Sequence, residues 1–351
     1  MAGRQDEWMT PKRRFLSALF GGRVDRIPVA NPTSVVTLEL MKMSGAFFPE
    51  VHLNPEKMAQ LAATSYEVLG YDTIMPVFGT QTESAALGVP VDWGEQMSWP
   101  VNTEHPITDP SQISIPKDFL EHPSMNTVLE AIRILRQEYG DRVAIIGKVY
   151  GPWSLAYHLA GTQEFLMETL LDPDKVKKYL EVLLEASMIS GKAQIKAGAD
   201  VILWGDHATG DLVSPLAYRD FLLPIHKRVT KELGAPIILH ICGNTTKFLP
   251  YFVEAGFDAF HFDSKVDARI AKQTVGNKMS LIGNINNTEI LMCGSPEDVR
   301  LQTLYALEAG VEIVAPECAI PLTTPLENLL AIADAAKEFS ARKGGINYGK
   351  D

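Results

Sequence analysis

Cysteine is scarce in this chain: three residues in 351, too few for a disulfide framework. The thiols are therefore expected to be reduced, as in a cytoplasmic protein. No stretch reaches the roughly 20 apolar residues that span a bilayer. The polar, charged run from Met1 to Arg14 lacks the apolar centre of a secretory signal. Positive charge is also in deficit, with 32 Lys and Arg against 43 Asp and Glu and a net charge of −11. No basic stripe is available for nucleic acid or an anionic membrane. The G-x-G-x-x-G turn of a dinucleotide fold is missing, which disfavours an open doubly wound sheet. Internal repeats, low-complexity tracts and obvious linkers are missing too. The expectation is a soluble, cytoplasmic globular protein of ordinary apolar content, 46%.

What is present is regular punctuation. A capping side chain followed by proline occurs at Thr10-Pro11, Asn54-Pro55, Asp172-Pro173, Ser214-Pro215, Ser295-Pro296 and Thr324-Pro325. The cap accepts a backbone N–H, and proline pre-sets φ at the first helical position. Apolar residues then recur at helical spacing, as in Val176, Tyr179, Leu180 and Leu183. Short apolar runs rich in β-branched residues predict strands near 27–30, 72–76, 143–149, 201–204, 237–242, 259–262, 280–282 and 312–315. Strands alternate cleanly with helices from Val143 onward, which implies parallel strands with crossover helices. The pattern predicts an α/β fold, a (β/α)8 TIM barrel forming one domain over 1–351. Residues 1–25 read as an N-terminal helical extension and 343–351 as a loose tail. The Pro-rich stretch 78–122 is irregular and reads as a long loop over one barrel face.

Barrel chemistry gathers at the C-terminal ends of the strands. The polar residues ending the apolar runs are Asp206 and His207, His240 and Cys242, His261 and Asp263, Asn284 and Asn286, and Cys318. Side chains two apart on a strand share a face, so His240 and Cys242 are presented together. A buried cysteine is ordinarily a small hydrophobe, and a lone histidine is ordinarily a satisfied core or surface group. The combination with Cys318 at another strand end points instead to zinc. Three protein ligands would leave one tetrahedral position open, as in catalytic sites.

Two thiolates and a neutral imidazole make a roughly neutral Zn²⁺ complex. Zinc lowers the pKa of a coordinating thiol, so this set favours a substrate thiolate attacking an electrophilic carbon. Activation of water is the other option, but the H-x-E and P-C-x-x-C pattern of zinc deaminases is absent. Cys293 lies just before a helix cap, away from a strand end, and reads as structural. Asp206, His207 and Asp263 are expected either to serve the metal or to cap helices and pair with arginines. Asp263 is the foremost choice for a transient fourth ligand. Glu83, after the second strand, is placed near the mouth.

The segments Leu239-His240-Ile241-Cys242-Gly243-Asn244 and Ala315-Pro316-Glu317-Cys318 resemble the zinc motifs of methylcobalamin:coenzyme M methyltransferases, a branch of the uroporphyrinogen decarboxylase superfamily. Similarity runs over nearly the whole chain, through 11–29, Ala197-Gly198-Ala199-Asp200, Leu212-Val213-Ser214-Pro215 and Thr324-Pro325-Leu326-Glu327-Asn328. The resemblance implies a barrel in which His240, Cys242 and Cys318 hold zinc. An acceptor thiol such as coenzyme M would take the fourth position and remove methyl from methylcobalamin.

On this reading Asp263 and Asp206 are the catalytic carboxylates. Tyr150, in the Tyr150-Gly151-Pro152-Trp153 turn, and Asn284 face the corrinoid. Asp206-His207-Ala208-Thr209-Gly210 has the wrong spacing for a corrinoid-binding D-x-H-x-x-G, so the cofactor is expected on a partner corrinoid protein. Decarboxylases of the superfamily carry R-Q-A-G-R to hold substrate carboxylates; here the stretch is Val29-Ala30-Asn31-Pro32-Thr33-Ser34, without arginine. Another acceptor such as tetrahydrofolate, and a non-catalytic barrel that binds a corrinoid protein, are the remaining alternatives.

Overall fold

The computed structural model describes residues 7–343 and 346–347. Its strands, in chain order, are β1 (Arg23–Val24), β2 (Thr73–Ile74), β3 (Val91–Asp92), β4 (Val101–Asn102), β5 (Ala144–Tyr150), β6 (Val201–Gly205), β7 (Ile237–Ile241), β8 (Ala259–Phe262), β9 (Ser280–Ile285), β10 (Ile313–Pro316) and β11 (Ile346–Asn347). Seven of them form one parallel sheet, ordered β2-β5-β6-β7-β8-β9-β10. Sequential order with parallel pairing needs a crossover between neighbours, and helices supply it.

Residues 28–30 close the sheet. Val29 bridges Val314 in parallel, Ala30 N donates to the Val314 carbonyl at 3.0 Å, and Asp72 N donates to the Val29 carbonyl at 2.7 Å. The segment thus lies between β10 and β2 and completes a TIM barrel. It is reduced from the expected strand to a single bridge because Pro28 and Pro32 lack ladder donors. A buried ion cluster pins it. Asp72 accepts from Arg14 Nη1 at 2.6 Å, Arg26 Nη1 at 2.8 Å and Val29 N at 2.9 Å. Arg14, fully buried, also bonds Asp25 at 2.6 Å.

The capping side chains at Thr10, Asn54, Asp172, Ser214 and Ser295 each accept the expected backbone N–H. Thr324 departs from the pattern. Its hydroxyl is buried without a partner, and the helix begins at Leu326. The Thr324 N–H is instead taken by the Pro321 carbonyl in a turn. The stretch 78–122 holds a short helix, Thr82–Ala86, and the β3–β4 hairpin. Within the expected tail, Ile346–Asn347 pairs antiparallel with Arg23–Val24, while 344–345 and 348–351 lie outside the described residues. So do 1–6 of the N-terminal extension, whose helix is Pro11–Leu19. No described helix is long and apolar enough to cross a membrane.

Candidate metal centre

β7 ends His240-Ile241, so His240 and Cys242 project on one side of the barrel mouth. His240 Nε2 lies 3.0 Å from Cys242 Sγ, and Cys318 Sγ lies 3.4 Å from Cys242 Sγ and 3.5 Å from His240 Nε2. Tetrahedral zinc bonds of ~2.3 Å to sulfur and ~2.0 Å to nitrogen put ligand atoms about 3.5–3.8 Å apart. The triangle is slightly tighter than that. Among the described residues, this is the one group of three or more His, Cys, Asp or Glu side chains with ligand atoms close enough to share a metal ion.

The neighbours set the chemistry of each ligand. His240 Nδ1 is 3.1 Å from the His261 carbonyl, which can only accept, so Nδ1 carries the proton and Nε2 is free to ligate. His261 stands beside it on β8, in register with His240, with ring centroids 4.7 Å apart. Burial drives the His261 pKa down to about 3 and keeps that ring neutral. The two cysteines share a proton. A hydrogen bond between their sulfurs, 3.4 Å apart, together with burial raises Cys242, and the same bond holds Cys318 well below the ordinary thiol range.

Cys318 is placed by the chain after β10. Its carbonyl accepts from Asn31 Nδ2 at 3.1 Å. The Glu317 carboxylate anchors the same turn on the backbone N–H groups of Ser264 and Asn287. Gly243 is required after Cys242: its φ is +81°, and a Cβ there would lie 2.2 Å from Thr209 Oγ1.

His240, Cys242 and Cys318 form one wall of a cavity of about 280 Å³, with Tyr150, His207 and Lys148 also lining it. Phe78, Trp99 and Pro100 from the irregular stretch cover its side. Burial lowers the His207 pKa to about 4, so its ring is neutral. Tyr150 lies with its ring centroid 5.4 Å from that of His207.

Asp206, Asp263 and Asn284 do not line the cavity, although all three sit at strand ends. Asp206 is turned away into the protein. Its oxygens accept from Trp153 N, Ser154 N and Trp204 Nε1, each at 3.1 Å, and from His226 Nε2 at 2.9 Å. Asp263 accepts from Gly243 N at 2.7 Å and Lys265 N at 2.9 Å, which steadies the turn after Cys242. Asn284 donates to the Val266 carbonyl at 2.9 Å and holds the same loop. Glu83 is buried and bonded to Ser190, its pKa raised to about 7 by burial. Cys293 is exposed and apart from the other two thiols.

Lys148 escapes a reading based on polar residues at strand ends, because it sits inside a strand. The signal was nonetheless present: Lys148 and Tyr150 are two apart on β5 and therefore share the inward face. Burial lowers its pKa to about 8, against the raising effect of Cys318, Glu83 and Cys242.

The Uroporphyrinogen decarboxylase (URO-D) family profile matches residues 10–339. A methylated-thiol–coenzyme M methyltransferase of Methanosarcina mazei is 38% identical over 331 residues, covering 94% of this chain and 90% of that protein. The methylcobamide:CoM methyltransferase MtaA of Methanosarcina barkeri is 34% identical, covering 95% and 99%. A solved methyltransferase from Methanosarcina mazei superposes with a TM-score of 0.91 at 34% identity, covering 94% and 99%. Length, fold and sequence agree throughout, and the chain belongs to the uroporphyrinogen decarboxylase family, among relatives that are methyltransferases.

Proposed function

We propose that this protein transfers a methyl group from a methylated corrinoid, carried by a partner protein, to a small thiol such as coenzyme M, using Zn²⁺ held by His240, Cys242 and Cys318. The observation that carries the reading is the convergence of these three ligand atoms on one wall of a small cavity. The donor set fits zinc: two sulfurs, one imidazole nitrogen in the ligating tautomer, and a neutral second histidine behind it. When bound, zinc would hold a substrate thiol as a nucleophilic thiolate at neutral pH.

The chain's own residues supply the rest. Cys318 is held towards the thiolate form by its bond to Cys242, and the proton that the two cysteines share must leave on loading. The His261 carbonyl fixes the His240 ring. Asp263 positions Cys242 through the Gly243 N–H, and Asn284 braces the Asp263 loop. Asp206 serves by anchoring the turn that carries Tyr150, whose ring is assigned to the corrinoid-facing wall. Phe78, Trp99 and Pro100 keep water from the reacting thiol.

The names of the relatives, which specify methylcobamide and coenzyme M, support this donor and acceptor. A porphyrinogen substrate finds less support. Among the described residues, Lys148 is the only Lys or Arg in the cavity lining, a poor match for a polycarboxylate. The test is to follow methylcobalamin demethylation spectroscopically with zinc-loaded protein and coenzyme M, homocysteine or tetrahydrofolate in parallel. Turnover with a thiol is expected; no turnover with any acceptor would overturn the proposal.

A further inference from the structure

We infer that Cys242 and Cys318 form a reversible redox-modification site: exchange with a small organic disulfide joins their sulfurs to each other and releases the metal. The inference goes beyond methyl transfer, and only its consequence for the metal rests on the zinc reading. The two sulfurs lie 3.4 Å apart, although 76 positions separate the residues along the chain. They need to close by about 1.4 Å to reach the ~2.0 Å of a disulfide bond. The fold has already met the entropy of closing so long a loop. Cys242 follows the end of β7 and Cys318 the end of β10, so neither is held in a strand ladder that would resist the shift. Both are half-buried and line one cavity, where a small molecule reaches them. Cys293 is exposed and apart from them, so it does not compete for either sulfur.

The exchange balances with the small disulfide, RSSR, as the oxidant. One cysteine sulfur attacks a sulfur of RSSR, the S–S bond breaks, and RS⁻ leaves. The other cysteine then attacks the protein sulfur of this mixed disulfide, and a second RS⁻ leaves. The cysteine pair is oxidised by two electrons, RSSR is reduced to two RSH, and the two thiol protons end on the leaving sulfurs. The second step is intramolecular between sulfurs already 3.4 Å apart, so the mixed disulfide is short-lived. Thiolate sulfur is the metal ligand, and the product has none, which leaves His240 alone of the three. In zinc-loaded protein the same exchange releases the ion, and the RS⁻ groups take their protons from water. A reducing thiol reverses both steps and restores the ligand set.

The test uses the full chain carrying Cys293→Ser, which removes the exposed third thiol, in metal-free and zinc-loaded form. Each is treated with 2-hydroxyethyl disulfide. Free thiols are then counted, peptides are mapped by mass spectrometry, and released zinc is followed with a chromogenic chelator. In metal-free protein both remaining thiols are expected to vanish without adduct mass, and the peptides bearing Cys242 and Cys318 to be recovered joined. Adding Cys318→Ser should leave a hydroxyethyl adduct on Cys242 and no cross-link. In zinc-loaded protein about one zinc should appear per disulfide formed, and dithiothreitol should restore zinc binding. Stable adducts on both cysteines, or two free thiols surviving in metal-free protein, would overturn the inference. Zinc retained by the loaded protein after the cross-link forms would overturn it too. A protein that forms the cross-link but never takes up zinc would instead remove the zinc reading and leave the redox site standing.

Discussion

At the scale of single residues, the two aspartates at strand ends do different things from one another. Asp206 gathers two backbone N–H groups at the start of the helix Pro152–Ala160, the Trp204 indole and His226. A carboxylate at a helix N-terminus is stabilised by the unsatisfied donors there. Asp206→Ala would strand those four donors in a buried place and is expected to cost about 3 kcal/mol. Urea unfolding checks this, with zinc content measured alongside and expected to stay near wild type. A variant of unchanged stability but lost metal would return Asp206 to the site. Which way such a carboxylate turns was not legible in the sequence, because a strand-end Asp is equally placed to face the mouth or the following helix. The three candidate ligands were legible, since period-two spacing, strand ends and the family resemblance together point to them.

At the scale of elements, the turns after the strands carry the site, and glycine decides whether they close. A Cβ at Gly151 would sit 2.1 Å from Asp206 Oδ2. Gly151→Ala must therefore push the Tyr150 turn off its anchor, at a cost of roughly 1–3 kcal/mol for overpacking. A lowered urea midpoint and slowed methyl transfer with zinc retained are the expected outcome. Wild-type rate and midpoint would contradict it. The sequence marked most element starts well, because cap and proline act locally. Thr324 misled, since a local turn on Pro321 captured its backbone N–H and the helix starts only at Leu326. The strand at 259–262 matched the observed β8, whereas the segment at 27–30 shrank to one bridge between two prolines. Lys148 was hidden for a related reason: the carbonyls of Thr33 and Gly79 that meet it come from loops remote in sequence.

At the scale of the whole molecule, barrel closure depends on a buried ion cluster and not on a full strand ladder. Asp72 pairs with Arg14 and Arg26 and with the Val29 N–H. Removing one partner of a buried pair leaves the others uncompensated, so Asp72→Asn is expected to destabilise by about 3–5 kcal/mol. Urea unfolding of the variant measures it, and a loss under 1 kcal/mol would contradict this account of closure.

Acid acts on the whole fold as well. Burial lowers His52 to about 4 and His158 to about 3, against 6.5 when unfolded. The unfolded chain therefore binds more protons as pH falls. The contribution of these histidines is complete above pH 6.5 and declines below it, by up to about 1.4 kcal/mol per unit for each. Metal-free protein unfolded in urea at pH 7, 6 and 5 should show this fall, and His158→Gln should reduce its slope. A midpoint constant from pH 7 to 5 would contradict it.

The central claim is that the His240, Cys242 and Cys318 cluster holds one zinc ion on which thiol methylation depends. It is tested most directly by titrating metal-free protein with Zn²⁺ and measuring the rate of methylcobalamin demethylation by coenzyme M. The rate should rise linearly to a plateau at one zinc per chain, and remain at background in Cys318→Ser. Full activity before zinc is added, or in Cys318→Ser, would contradict the account.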